Sequence, residues 1–251
     1  LSPFDGFYRT QVEYAIARER ALLSSTELSE EEIRTKYLEK AQYAVDAGLA
    51  AVKANPNNYQ NYVSLGRAYE LAVPFDKTAG YDNAKKSYQE AIRLYPNNPY
   101  LYVMLARLEA SAGTKEGVRV HLGEALSKKQ NFADALYLMS QLEVSEERLE
   151  EALAYAVEAV KAAPNDPNVY IQAGLLFYAK KDYQNAVAAL DRALALEPAN
   201  ANTAYFLALS LRDGGQVDIA KQIGEELLKR NPGNADLETF LASLEAKTGT
   251  A

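Results

Sequence analysis

Few side chains in this sequence are equipped for chemistry. His121 is the single histidine and cysteine is absent. That removes thiolate nucleophiles, disulfides, zinc sites of the Cys/His kind and every mechanism needing two histidines. It leaves the redox compartment open, because a cysteine-free chain suits either. The acidic pairs Glu146-Glu147 and Glu150-Glu151 follow Ser145, an N-cap candidate. Acids in a first helical turn complement the helix dipole, which is a structural role. No phosphate-binding glycine loop, nucleophile elbow, zinc spacing or calcium loop is present. The expectation is no enzyme, no cofactor and no metal. Tyrosine, by contrast, is abundant: 18 residues, with no tryptophan beside them. A tyrosine offers a large contact area and a polar tip at low entropic cost, so the chemistry in view is recognition.

The elements that must hold these side chains come from a chain of 251 residues, 48% hydrophobic and 24% charged, which is globular composition. A formal net charge of −7 argues against a phosphate-backbone binder, so no nucleic-acid partner is expected. No segment approaches the roughly 18–20 uninterrupted apolar residues of a membrane helix, so direct membrane insertion by this segment is not expected. The opening Leu1-Ser2-Pro3-Phe4 reads as the start of a piece of a longer chain.

Internal repetition sets the architecture. Small residues recur at Ala84, Val118, Ala152, Ala186 and Ala220, and again at Ala91, Ala125, Ala159 and Ala193 (then Leu227), always 34 apart. A third series runs Ala106, Ser140, Gly174 and Ala208, and Pro164, Pro198 and Pro232 punctuate it. Backwards from Ala91 the step is 40, so one repeat carries six extra residues around 73–80. Within a repeat both halves show helical spacing, as in Tyr170, Ala173, Gly174, Phe177 and then Tyr183, Ala186, Leu190, Ala193. Asn98-Pro99 and Asp166-Pro167 read as an N-cap followed by proline in the first turn. The small series marks close helix crossings at Gly174 with Ala186 or Ala193. A lone hairpin cannot bury both faces, so the hairpins must stack.

The run Val169-Tyr-Ile-Gln-Ala-Gly-Leu-Leu-Phe177, with Asp182-Tyr-Gln-Asn-Ala186, Leu190, Ala193 and Pro198, resembles a tetratricopeptide repeat almost slot for slot. The resemblance implies an all-α fold: a right-handed superhelical solenoid of helix-turn-helix hairpins, with twelve or thirteen helices and no strand. The repeats expected are 59–98 with the insertion 73–80, 99–132, 133–166, 167–200 and 201–234. Residues 1–58 form an irregular starting hairpin (helices about 5–23 and 30–55, the second opened by a Ser29/Glu32 capping box). Residues 235–251 form a capping helix and tail, with Leu237, Leu241 and Leu244 inward and Phe240 at the margin of that stripe.

Tyr62, Tyr69, Tyr81, Tyr88, Tyr102, Tyr170 and Tyr183 fall in slots that the repeat uses for packing. Tyr100, Tyr137, Tyr178 and Tyr205 lie off that stripe, on the face that in this family lines the concave groove. Val63, Arg67, Val103, Arg107, Ile171, Leu175 and Leu209 share the face. These eleven residues are the expected partner groove, unless the inner curve simply packs them on one another. The lysine–asparagine clamp by which some members hold acidic chaperone tails is not met. Val73, Pro74 and Phe75 sit on the inserted turn, tucked against a helix or offered to a partner.

Three functions compete at this level. One is a non-catalytic scaffold binding a peptide or protein segment in the groove. Another is self-assembly end to end into a fibre or oligomer, with Phe4 and Phe7 as self-association residues buried against the first hairpin or another copy. The third is an extracytoplasmic domain of a bacterial membrane protein, since Ser2-Pro3-Phe4-Asp5-Gly6-Phe7-Tyr8-Arg9 ahead of the repeats is similar to the C-terminal part of O-antigen ligase-like proteins. The last resemblance implies an extracytoplasmic bacterial location.

Overall fold

The computed structural model describes residues 3–23, 28–73 and 77–248. Among these there are thirteen helices and no strand. The chain divides into two compact units, residues 1–130 and 131–251.

The first unit holds α1 (Pro3–Leu23), α2 (Glu30–Ala54), α3 (Tyr59–Glu70), α4 (Lys77–Leu94), α5 (Pro99–Ala112) and α6 (Lys115–Lys128). The second holds α7 (Ala133–Ser145), α8 (Leu149–Ala162), α9 (Pro167–Ala179), α10 (Tyr183–Leu196), α11 (Ala201–Asp213), α12 (Val217–Arg230) and α13 (Ala235–Thr248). Within each unit consecutive helices pair as antiparallel hairpins, and α13 lies on the last of them.

Short polar side chains start the helices. Asn58, Asn98, Asp166, Asp182 and Asn200 each accept a hydrogen bond from a backbone N–H of the first turn. Ser29 and Glu32 form the full capping box. Ser145 does not cap: it ends α7, its hydroxyl donates to the Leu142 carbonyl, and Arg148 takes the N-cap place of α8. The turn Glu146–Arg148 intervenes, so only Glu150 and Glu151 stand in the first turn of α8.

The turn inside each hairpin also repeats. Backbone N–H groups of Thr114, Arg148, Asp182 and Gln216 donate to the carbonyls of Glu109, Glu143, Phe177 and Leu211. The left-handed residue that closes each turn is Gly113, Glu147, Lys181 or Gly215, with φ between 61° and 86°. The hairpin with the insertion closes differently, through Ala72 and Val73 N–H groups onto Tyr69 and Glu70. Its extra residues lengthen α4, so Gly80 is helical and not part of the turn. A Cβ there would come within 2.8 Å of the Val73 backbone nitrogen. Pro74 and Phe75 lie outside the described residues.

The small-residue series sits at helix crossings as the repeat requires. A Cβ on Gly66 would meet the Tyr88 ring at 2.6 Å, and one on Gly174 would meet Leu190 Cγ at 2.6 Å. Tyr88 and Tyr102 are buried, while Tyr62, Tyr69, Tyr81, Tyr170 and Tyr183 are only half-buried. Among buried and half-buried tyrosines alike hydroxyls find a partner, and Tyr102 donates to the Pro96 carbonyl at 2.9 Å. Tyr170, for example, donates to the Pro164 carbonyl at 3.2 Å.

Candidate functional site

The first unit carries an open groove of about 560 Å³. One wall comes from α1 through Arg9, Thr10 and Glu13. The floor is α3 through Val63 and Arg67, and Tyr59 and Tyr100 stand at the edge. Val63 is half-buried on the cluster of Ala84, Tyr88, Met104, Leu105 and Leu108, so its position is fixed by the core. Asn98 places the start of α5 by accepting from the Tyr100 N–H, leaving the Tyr100 ring 39% exposed. The Arg67 guanidinium reaches across the groove to the Glu13 carboxylate, and both side chains stay partly in solvent. Below Arg67, burial pushes the Glu70 carboxyl up in pKa, while the Tyr88 hydroxyl donated at 2.9 Å and the nearby Arg67 and Arg107 charges work against that rise.

Of the residues expected from the sequence, this groove unites Val63, Arg67 and Tyr100. Arg107 is exposed on α5 but does not line it. Val103 is a correction: it is fully buried. The reason is that α5 is apolar nearly all round, with Leu101 to Ala106 all buried, and such a helix is covered on more sides than one stripe predicts.

Tyr137, Ile171, Leu175, Tyr178, Tyr205 and Leu209 lie in the second unit, on α7, α9 and α11, all half-buried. The Tyr178 hydroxyl donates to Asp213 Oδ2 at 2.8 Å, and its ring lies 5.8 Å from that of Tyr183. Burial, and then that hydrogen bond, push the Tyr178 hydroxyl up in pKa. The Tyr205 ring lies 5.8 Å from the Phe240 ring, and Tyr205 and Leu209 both pack on the buried cluster around Leu207 and Leu211. These two tyrosines therefore brace helices as well as showing an open face. Phe240 is itself a correction: it is 3% exposed at the centre of the α13 seat, not at its margin. Gly224, where other repeats hold a larger residue, makes the room. A Cβ there would meet the Phe240 ring at 2.8 Å.

Phe4 and Phe7 are exposed by 64% and 59%, which corrects the expectation that the first hairpin buries them. What fixes the start of α1 is polar, whereas further along Val12 and Ala15 are buried in an apolar cluster with Tyr37, Ala41 and Ala44. Asp5, 4% exposed, accepts from Asn58 Nδ2 at 2.9 Å, Asn55 Nδ2 at 3.3 Å and Asn61 Nδ2 at 3.4 Å. Arg9 Nη1 donates to Asn61 Oδ1 at 2.7 Å. With its anchor at Asp5, the start of α1 leaves its phenylalanines outward.

Two buried glutamates were not singled out by the sequence reading. Glu109 and Glu143 occupy the slot that holds Tyr69 and Phe177 in neighbouring hairpins. Glu109 receives the Tyr81 hydroxyl and Lys85 Nζ, each at 2.7 Å. Burial pushes its carboxyl up, but these two hydrogen bonds, the Lys85 charge and a hydrogen bond with Thr114 together hold it below the usual range. Glu143 receives Arg148 Nε at 2.5 Å. Their 34-residue spacing, an acid in an aromatic slot twice, was the available signal. His121 is half-buried, with Nδ1 2.8 Å from Glu124 Oε2. Among the described residues no group of three His, Cys, Asp or Glu is placed to hold a metal, and no helix is long and apolar enough to cross a membrane.

Comparison with known proteins agrees with this architecture. Family models of the tetratricopeptide repeat match residues 177–249, 77–98 and 133–166, together just over half of the chain. Superkiller protein 3 of Schizosaccharomyces pombe is 25% identical over 189 residues, covering 72% of this chain and 13% of that protein. The chain spans 13% to 32% of the length of the curated relatives it matches. The yeast Tom70 structure superposes with a TM-score of 0.67 at 17% identity, over 94% of this chain and 47% of that one. YrrB, described as a TPR protein with an unusual peptide-binding site, gives 0.58 at 18% identity, over 82% of this chain and all of that one. Solenoids of this repeat act as protein-interaction scaffolds, and nothing in the site points to catalysis. With its hairpin turns in one register, its small residues at the crossings and these matches, the chain belongs to the tetratricopeptide repeat family.

Proposed function

We propose that the chain holds a peptide or protein segment of a partner in the groove of α1, α3 and α5. The tyrosine and aliphatic face of α7, α9 and α11 is a second contact surface. The repeats are counted as 59–98, 99–132, 133–166, 167–200 and 201–234, with 1–58 and 235–251 as the ends. The observation that carries the reading is the groove itself: about 560 Å³ of open concavity beside a partly exposed guanidinium and two tyrosine rings. Recognition hot spots are enriched in Tyr and Arg side chains, and this groove offers both over a floor fixed by the core. The peptide-binding site ascribed to YrrB, a protein of similar fold, supports it. The test is panning of a displayed random-peptide library on the intact chain. Recovered peptides are expected to lose at least tenfold in affinity with Arg67→Glu or Tyr100→Ala, roughly the effect of one hot-spot residue. Peptides indifferent to both changes, or none recovered, would remove this reading.

Exposure of Phe4 and Phe7 favours a second reading, self-association through α1. Sedimentation would then show oligomers that Phe4→Ser with Phe7→Ser abolishes. A parent chain that is monomeric at high concentration excludes it.

A further inference from the structure

The cations of the groove are held in different ways. Arg9 is tied into the polar cage under α1, through Asn61 at 2.7 Å and Asp5 at 3.4 Å. Arg67 is tied to Glu13, whose side chain is 49% exposed, with Arg67 itself 32% exposed. An ion pair left this open to water is weak, because each charge is nearly as well solvated apart. Glu13 stands on α1, outside the 34-residue series, and contributes its carboxylate to the groove wall. A guanidinium presents a planar fork suited to a carboxylate, and a pair shielded by a bound segment is stronger than the same pair in water.

We infer that Glu13 is an internal stand-in for the partner: in the free chain its carboxylate occupies Arg67, and an acidic segment of a partner protein displaces it on binding. The inference rests on the groove being the binding site. It adds the class of segment, one that offers a carboxylate to Arg67 in the groove that Tyr59 and Tyr100 also line, and a device that sets the affinity. The internal carboxylate competes at the high effective concentration of a tethered group, so it discriminates against weakly held acids.

The probe is an acetylated, amidated octapeptide of alternating Glu and Ala, with its Gln-for-Glu twin as control. Affinities are measured by calorimetry on the parent chain, Glu13→Gln and Arg67→Gln. In parallel, the Arg67 side-chain N–H resonance is followed by NMR. Both variants alter an exposed pair, so their thermal midpoints are expected near the parent's. Glu13→Gln should bind the Glu peptide about fivefold more tightly, the equivalent of about 1 kcal/mol for removal of an exposed competing pair. Arg67→Gln should lose binding tenfold or more. The Gln peptide should not distinguish parent from Glu13→Gln. Equal or weaker binding by Glu13→Gln overturns the inference, as does a Glu peptide that binds none of the three. Display-selected ligands that need Arg67 or Tyr100 yet ignore Glu13→Gln would overturn it while leaving the proposed function standing.

Discussion

The start of the first helix and the body of the last are attached by opposite means. Helix α1 is anchored at its start by a buried carboxylate in a cage of asparagines, beyond which Val12 and Ala15 join an apolar cluster, and its Phe4, Phe7 and Tyr14 face solvent. Helix α13 is anchored by a ring: Phe240 fills the hollow over Gly224, with Leu237 and Leu244 buried beside it. Each helix covers a face of the hairpin beside it, α1 on α2 and α3, α13 on α12. Apolar burial does so without direction, and the fit is decided by volume. The polar cage does so with direction: each donor in it needs its acceptor, and losing one leaves others unpaired in a site half-closed to water. The apolar end should therefore respond most to changes of shape, and the polar end to changes of charge.

The comparison breaks most visibly at Phe240. Phe240→Ala should cost about 3 kcal/mol, the lower end for a core Phe→Ala because a terminal helix can partly collapse. Hydrogen exchange should show α13 released while α1 keeps its protection. Equal loosening of both helices would mean that the ring is not the local anchor.

Next in size is Asn61, which is fully buried. Its Nδ2 donates to the Ala51 and Asn55 carbonyls at 2.9 Å each, while its Oδ1 accepts from Arg9. Asn61→Ala should cost about 2 kcal/mol, the usual penalty for stranding buried polar partners. Urea melts of the variant would check it. A loss no larger than that of a surface substitution would mean that water replaces the amide freely.

Much of this was legible in the sequence, and the limits were physical. The repeat register could be read because close crossings admit only small side chains at fixed spacing, and Gly66 and Gly174 stand where that demands. Gly224 could be seen as an anomaly, but not its cause. Leu237, Phe240, Leu241 and Leu244 all fall on one helical face, and spacing alone does not fix how that face is turned. Val103 shows the same limit from the other side, since a helix apolar all round has no single inner stripe. Arg67 and Tyr100 both line the open groove of the first unit, where the register of α3 and α5 puts them. Glu13 was out of reach: α1 lies outside the series, so no register could carry its side chain across to Arg67. The asparagine cage was missed for a related reason. Each of its residues has an ordinary local use as a turn or cap, and only the packing of α1 brings Asp5 among them.

A smaller shape effect sharpens the comparison at Gly224. Gly224→Ala places a methyl about 2.8 Å from the Phe240 ring, so the ring or the helix must shift. The expected cost is about 1–2 kcal/mol, typical of mild overpacking. Combining it with Phe240→Ala should recover part of the loss, since the hollow and the knob act on the same space and their effects are not additive. Strict additivity in the double variant would separate the two residues.

The smallest effect is one of acid, and it belongs to α1 alone in this pair. The Asn58 hydrogen bond holds the Asp5 carboxyl below its ordinary value of 3.8, helped by Asn61, Arg9 and the Gly6 backbone against burial. A carboxyl lowered by folding contributes stability above its unfolded value, and that contribution fades as pH falls through the lowered, folded one. Glu109, also lowered, adds a loss of the same sign in this unit, while Glu70, raised by burial, contributes the opposite. The total acid response of the unit is thus mixed, and Asp5 is isolated by difference. Asp5→Asn should be less stable than the parent near neutral pH, with the gap narrowing as pH drops below the ordinary 3.8 and through the lowered, folded value. Hydrogen exchange of α1 over that range reads the gap directly, with α13 as the internal reference. A gap that stays constant with pH would show that Asp5 acts by shape and hydrogen bonding alone, and the contrast between the two ends would lose its electrostatic half.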